Sequence, residues 1–151
     1  AGHFVRGDIS RGEIYYTNST LLAVSSHTEP FERAAFEGAL HSFIEGNAAT
    51  CVWLGSARPD PKALAAFVAR VFRETENRHV VFSPEFTTCL DCSTTSRGLT
   101  DTCPACGSSH VEGITKGAGY FSRISDWNRG KLAELRDRKK QGSTFGDFGG
   151  A

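Results

Sequence analysis

At 151 residues, with 39% hydrophobic and 23% charged residues, the chain has the composition of one ordinary globular domain and not of a disordered segment. Lysine plus arginine equals aspartate plus glutamate at 17 each, so no global charge excess points to nucleic acid or an anionic membrane. No apolar run approaches the ~18 residues of a membrane span. The N-terminus lacks the basic-then-apolar plan of a signal peptide, and a soluble cytoplasmic domain is expected.

In chain order, Glu13-Ile14-Tyr15-Tyr16-Thr17 is rich in β-formers and ends at Asn18-Ser19, which predicts a short strand. From Pro30 to Glu45, Phe31, Ala35, Phe36, Ala39, Leu40, Phe43 and Ile44 recur at helical spacing, with Gly46-Asn47 as a stop. Cys51-Val52-Trp53-Leu54 reads as a buried strand. Asp60 then caps a second helix with Pro61 at its first position, where the missing N–H costs nothing. Leu64, Phe67, Val68, Val71 and Phe72 form its apolar stripe, and Val80-Val81-Phe82 predicts a further strand closed by Ser83-Pro84. Strand and helix alternate, so residues 1–83 are expected to form an α/β layer whose three short strands need partners at their edges.

From Pro84 to Glu112 the composition turns to Thr, Ser, Gly and Cys, and only Phe86, Leu90, Leu99 and Val111 are large and apolar. So little apolar surface cannot order such a stretch unaided, which calls for a staple. Cys89-x2-Cys92 and Cys103-x2-Cys106 supply one. Each CxxC turn brings two thiolates onto one ion, and Gly107 permits the positive φ that such turns use. Four thiolates close a tetrahedral zinc site with no position left for water, so the expected zinc is structural. The alternative is a pair of redox dithiols or adventitious CxxC pairs. His110 stands near enough to substitute as a ligand, while His3, His27, His41 and His79 have no ligand spacing. Cys51 reads as a small buried hydrophobe.

Residues 113–151 are expected to hold a glycine-rich loop from Gly113 to Gly119, a helix and a tail carrying Phe145 and Phe148. The loop lacks GxxxxGK[ST] and is no phosphate cradle. The helix is placed from Trp127 to Gln141, capped by Ser125 or Asp126 and stopped by Gly142. Leu132 and Leu135 form a thin stripe, and Glu134 and Arg138 pair at i,i+4.

Taken in order, Tyr15-Tyr16-Thr17-Asn18-Ser19, the two CxxC pairs, Lys116-Gly117-Ala118-Gly119-Tyr120 and Trp127-Asn128-Arg129-Gly130-Lys131 resemble the C-terminal region of class III (anaerobic) ribonucleotide reductase. The likeness runs from about residue 13 to 140. It departs at Ala118, where relatives often carry Cys, and at Lys116, where Arg is common.

The resemblance implies that 1–83 is the last part of a ten-stranded α/β barrel, that 84–112 is a zinc-ribbon-like unit with four cysteine ligands, and that Gly119 is the radical glycine. Gly117 and Gly113 would be hinges, and Tyr120 an anchor or a packed aromatic. A glycine suits the role, since a backbone radical flattens and delocalises into both flanking peptides, and no Cβ crowds it. The family further implies a radical S-adenosylmethionine activase with an iron–sulfur cluster and a homodimeric large subunit. It also implies a ribonucleotide substrate on the way to deoxyribonucleotides for DNA replication. Alone, this chain is expected to be inactive, as a fragment or subunit.

Two other readings stand beside it. One is a separate glycyl radical subunit that complements a larger partner. The other is a zinc-ribbon module for nucleic acid or protein, resting on six basic against three acidic residues between Asp126 and Lys140. That excess usually marks a solvated helix face, and binding of nucleic acid is not expected.

Overall fold

The computed structural model describes residues 5–17, 21–26, 28–117 and 119–140. Asn18 and Ser19, His3 and His27, Ala118, and the tail from Gln141 with Phe145 and Phe148 lie outside the described residues.

The centre is a five-stranded mixed sheet. Strand β3 (Thr50–Gly55) runs parallel to β4 (Val80–Cys89), and α2 (Pro61–Glu74) makes the crossover between them. Asp60 caps α2 as expected, its carboxylate accepting the Ala63 N–H at 2.9 Å. Phe67 and Val71 of α2 pack with Ala34, Val52 and Leu54 into one apolar cluster, flanked by Phe31, Leu64, Val68, Val80 and Phe82. Phe72, placed in the stripe from the sequence, is half exposed.

Strand β4 does not stop at Pro84. It continues to Cys89, so the boundary drawn between 83 and 84 falls inside a strand. Pro84 sits where the β3 register shifts and the partners change. Residues 80–84 pair with β3, while Glu85–Cys89 pair antiparallel with β6 (Val111–Lys116) and Phe86–Thr88 with β5 (Thr95–Arg97). A missing N–H is tolerated at such an irregularity. One strand thus carries the α/β layer straight into the cysteine unit. Thr87, almost fully buried, fastens the β5 return by donating to the Gly98 carbonyl and accepting the Thr100 N–H.

The other departures are local. The first strand, β2 (Glu13–Tyr16), does not join the layer. It forms a separate hairpin with β1 (Val5–Asp8) that packs on α3 (Arg129–Lys140). Gly130 allows this approach, because a Cβ there would come 2.0 Å from the Ile14 carbonyl oxygen. Helix α3 is capped by Asn128, whose side chain accepts the Lys131 N–H, and not by Ser125 or Asp126, which lie in a 3-10 turn.

Helix α1 (Pro30–His41) ends short of Glu45, and apart from Phe31 its buried face is not the one its apolar spacing suggests. Phe36, Leu40 and Phe43 are exposed; Arg33, Ala34, Glu37, Gly38 and His41 are buried. Small residues let that face close on its neighbours: a Cβ on Gly38 would lie 2.4 Å from Asn77 Nδ2. Its polar groups are matched locally. Arg33 donates to the Leu22 and Ala23 carbonyls and pairs with Glu37 at 3.1 Å, and Glu37 accepts the Leu22 N–H. Among the described residues, no helix is long and apolar enough to cross a membrane.

Candidate metal centre and glycine hairpin

The four cysteines come from two turns of the same design. Cys89 N–H donates to the Thr94 carbonyl and Ser93 N–H to the Cys89 carbonyl; Cys103 N–H donates to the Ser108 carbonyl and Gly107 N–H to the Cys103 carbonyl. Each turn needs a positive φ at its fifth residue, supplied by Ser93 at 58° and Gly107 at 75°. The glycine was legible in the sequence, and its serine counterpart was not.

Cys89 and Cys103 are buried, Cys92 and Cys106 exposed. Cys89 and Cys106 Sγ lie 3.7 Å apart, Cys92 and Cys103 Sγ 3.6 Å apart, and all four sulfurs fall within 4.8 Å of one another. Disulfides would need about 2.05 Å. Four thiolates at about 2.3 Å around a tetrahedral ion stand about 3.8 Å apart, so the spacing fits one metal ion.

The Thr94 hydroxyl, then the Thr94 backbone and the neighbouring sulfurs, bring the Cys92 thiol down to about 6. At Cys106 the Ser108 backbone pulls the same way, but the three other sulfurs outweigh it and push the thiol up to about 12. Crowded thiolates lose their protons unevenly, and a dication among them would keep all four deprotonated.

His110 is not a fifth candidate ligand. Its Nδ1 lies 2.9 Å from Asp91, between the first two cysteines, and Asp91 also accepts the Ser108 hydroxyl. Asp91 therefore clamps one cysteine turn to the other. Those two contacts hold its carboxyl below the usual range, Ser108 contributing most. Sequence spacing offers no sign of this clamp.

The glycine segment is a hairpin, not a long loop. Val111–Lys116 form β6 and Phe121–Arg123 form β7, with Lys116 opposite Phe121 and Gly117 N–H donating to the Tyr120 carbonyl. Gly113 is no hinge. It pairs with Thr87 inside the sheet, where a Cβ would press on Ile124 and Leu99 at 2.8 and 3.1 Å. Tyr120 is 68% exposed, too open to be a packed anchor among the described residues. Gly119, at the tip, is exposed, and a Cβ there would meet no atom of the described residues within 4 Å.

The base of the hairpin is built differently. Trp127 donates to Ser122 Oγ at 2.7 Å from one side. From the other, Arg138 donates to the Lys116 carbonyl at 2.9 Å and pairs with Glu134, as the i,i+4 spacing predicts, but buried. The Arg138 guanidinium lies 3.6 Å from the centre of the Trp53 ring and 5.8 Å from that of Trp127. Beside it is a cavity of about 30 Å³ whose lining includes Cys51, Trp53, Gly117, Glu37 and Glu134. Burial pushes the Cys51 thiol up to about 11, so it stays protonated, as a small buried hydrophobe would.

The model of one family, anaerobic ribonucleoside-triphosphate reductase, matches residues 2–141. The chain belongs to this family. The chemistry of the family is that of an oxidoreductase acting on ribonucleotides. No curated protein matches the sequence.

Proposed function

We propose that this chain is the radical-bearing C-terminal part of an anaerobic ribonucleotide reductase, with Gly119 storing the radical and a structural zinc held by Cys89, Cys92, Cys103 and Cys106. The observation that carries the reading is the setting of Gly119. It stands bare at the tip of a hairpin whose strand β6 is laced to β4, and β4 ends in the first cysteine of the cluster.

An exposed tip lets an activating enzyme reach the Cα–H bond. The activase would cleave S-adenosylmethionine with one electron from its iron–sulfur cluster, and the resulting 5′-deoxyadenosyl fragment takes the hydrogen atom. The Cα–H bond breaks homolytically and the unpaired electron stays on Gly119, shared with the peptide groups on either side. In the assembled reductase, a cysteine thiol elsewhere in the large subunit returns a hydrogen atom to Gly119. The thiyl so formed abstracts the ribose 3′ hydrogen, which starts loss of the 2′ hydroxyl. Cys89, Cys92, Cys103 and Cys106 would hold the zinc, which would supply a structural cross-link.

Anaerobic incubation with activase, reductant and S-adenosylmethionine should give a doublet in electron paramagnetic resonance, split by the remaining α-hydrogen. Deuteration at glycine should collapse the splitting. An unchanged doublet in Gly119→Ala overturns the site. A metal-loaded sample that stays diamagnetic with its full-length partner overturns the function. Restored activity in a partner lacking its own C-terminus would identify a separate subunit.

Three of the basic residues behind the nucleic-acid reading are occupied: Arg136 with Glu13, Arg138 with Glu134, and Lys131 against the Trp127 ring.

A further inference from the structure

A Cβ built on Gly119 would meet no described atom within 4 Å, and the contacts that hold the hairpin lie at its base. On the β6 arm, among the described residues, one side chain donates a hydrogen bond to that base. The Lys116 carbonyl, three residues before Gly119, accepts from Arg138, which comes from a different element and is only 8% exposed. The same guanidinium reaches Glu134 through its other terminal nitrogen and lies over Trp53 of β3. Arg138 therefore joins α3, β3 and the end of β6 at one point. Trp127, through Ser122, holds the β7 arm, and its ring centre lies 5.8 Å from the guanidinium.

We propose that Arg138 is the positioning residue of the glycine hairpin, setting where Gly119 stands relative to the α/β layer through its bond to the Lys116 carbonyl. The functional consequence rests on Gly119 carrying the radical; the positioning itself does not. A planar fork is required, because the group must donate in two directions while its face lies on an indole. A lysine ammonium is a point charge on a flexible stem and cannot do both. Gly117 lies under the same side chains: a Cβ there would stand 3.3 Å from the Lys131 ammonium and in ordinary contact with Trp127 at 3.6 Å.

The test is amide hydrogen exchange, followed by mass spectrometry, on the zinc-loaded chain and two variants. Arg138→Lys keeps the charge and loses the fork. Glu134→Gln/Arg138→Met removes both charges, so no buried carboxylate is left alone. In each variant, the peptide covering 115–121 should exchange about tenfold faster, as expected for loss of one hydrogen bond from a charged donor. Peptides from α2 and β4 should keep wild-type protection, and zinc content should be unchanged. Unchanged hairpin protection in both variants overturns the proposal. So does a loss spread equally over α2 and β4, which would make Arg138 an ordinary core residue. Radical yield is read separately: a wild-type chain that gives no doublet counts against the radical assignment and leaves the exchange result standing. A full, equally long-lived doublet from Arg138→Lys with a loosened hairpin overturns the functional consequence.

Discussion

Cys89, the last residue of β4, pairs in register with Val111, the first residue of β6. The cysteine cluster and the glycine hairpin therefore sit at opposite ends of one pair of strands.

Loss of the metal should travel along that ladder. Zinc in comparable four-ligand turns contributes roughly 10–16 kcal/mol of apparent binding energy. Chelation or Cys103→Ser is thus expected to remove protection from 85–115, while α2 keeps its helical circular dichroism on the Val52, Leu54, Phe67 and Val71 core. Exchange and dichroism measured together check this, and melting of α2 with the ribbon would show the sheet to be one cooperative unit.

Glycine substitutions should separate chemistry from stability. Gly119→Ala adds a methyl that meets no atom of the described residues within 4 Å and is expected to change stability by no more than about 1 kcal/mol while abolishing the radical doublet. Gly130→Ala drives a Cβ toward the Ile14 carbonyl and should cost about 1–3 kcal/mol or more, since overpacking against backbone cannot relax cheaply. Denaturant melts of the two variants make the comparison.

The inverted face of α1 makes an unusual contrast. Phe43→Ser, on the side the apolar spacing marks as core, should shift stability by less than about 0.5 kcal/mol because Phe43 is 85% exposed. Arg33→Met should cost about 3–5 kcal/mol, because it strands the fully buried Glu37 carboxylate without its cation. Equal effects would mean that the helix is turned the other way.

His41 should give the fold an acid-sensitive step. It is fully buried and accepts the Arg78 N–H, and burial first, then the Arg78 charge, lowers its pKa below 6.5. The unfolded chain binds this proton near 6.5 and the folded chain only at lower pH. The stabilisation is thus complete above about 6.5 and is lost as pH falls below it. Glu37 works in the opposite sense: burial raises its pKa, and its contribution falls as pH rises. The wild-type stability minus that of His41→Gln cancels Glu37 and should climb with pH up to about 6.5, then level off.

Where a signal is local, the chain announced itself. Asp60-Pro61 capped its helix, and two CxxC pairs converged on one four-sulfur site, because caps and metal turns are decided within a few residues. The ordered motifs up to Lys131 were enough to name the family. Other features needed the assembled molecule. Pro84 looked like a strand end because a sequence cannot show that its partner strand changes there. The Phe36, Leu40 and Phe43 stripe looked like a core face, since periodicity weighs hydrophobicity and not the pairing of Arg33 and Glu37 with carbonyls and N–H groups at residues 22 and 23. Arg138 read as half of an i,i+4 ion pair and proved to be buried near two tryptophans, 85 and 11 residues away in the chain. Candidates for chemistry are picked out by residue type and spacing; where the glycine of the hairpin tip stands is set by contacts between distant segments, which exist only once the chain has folded.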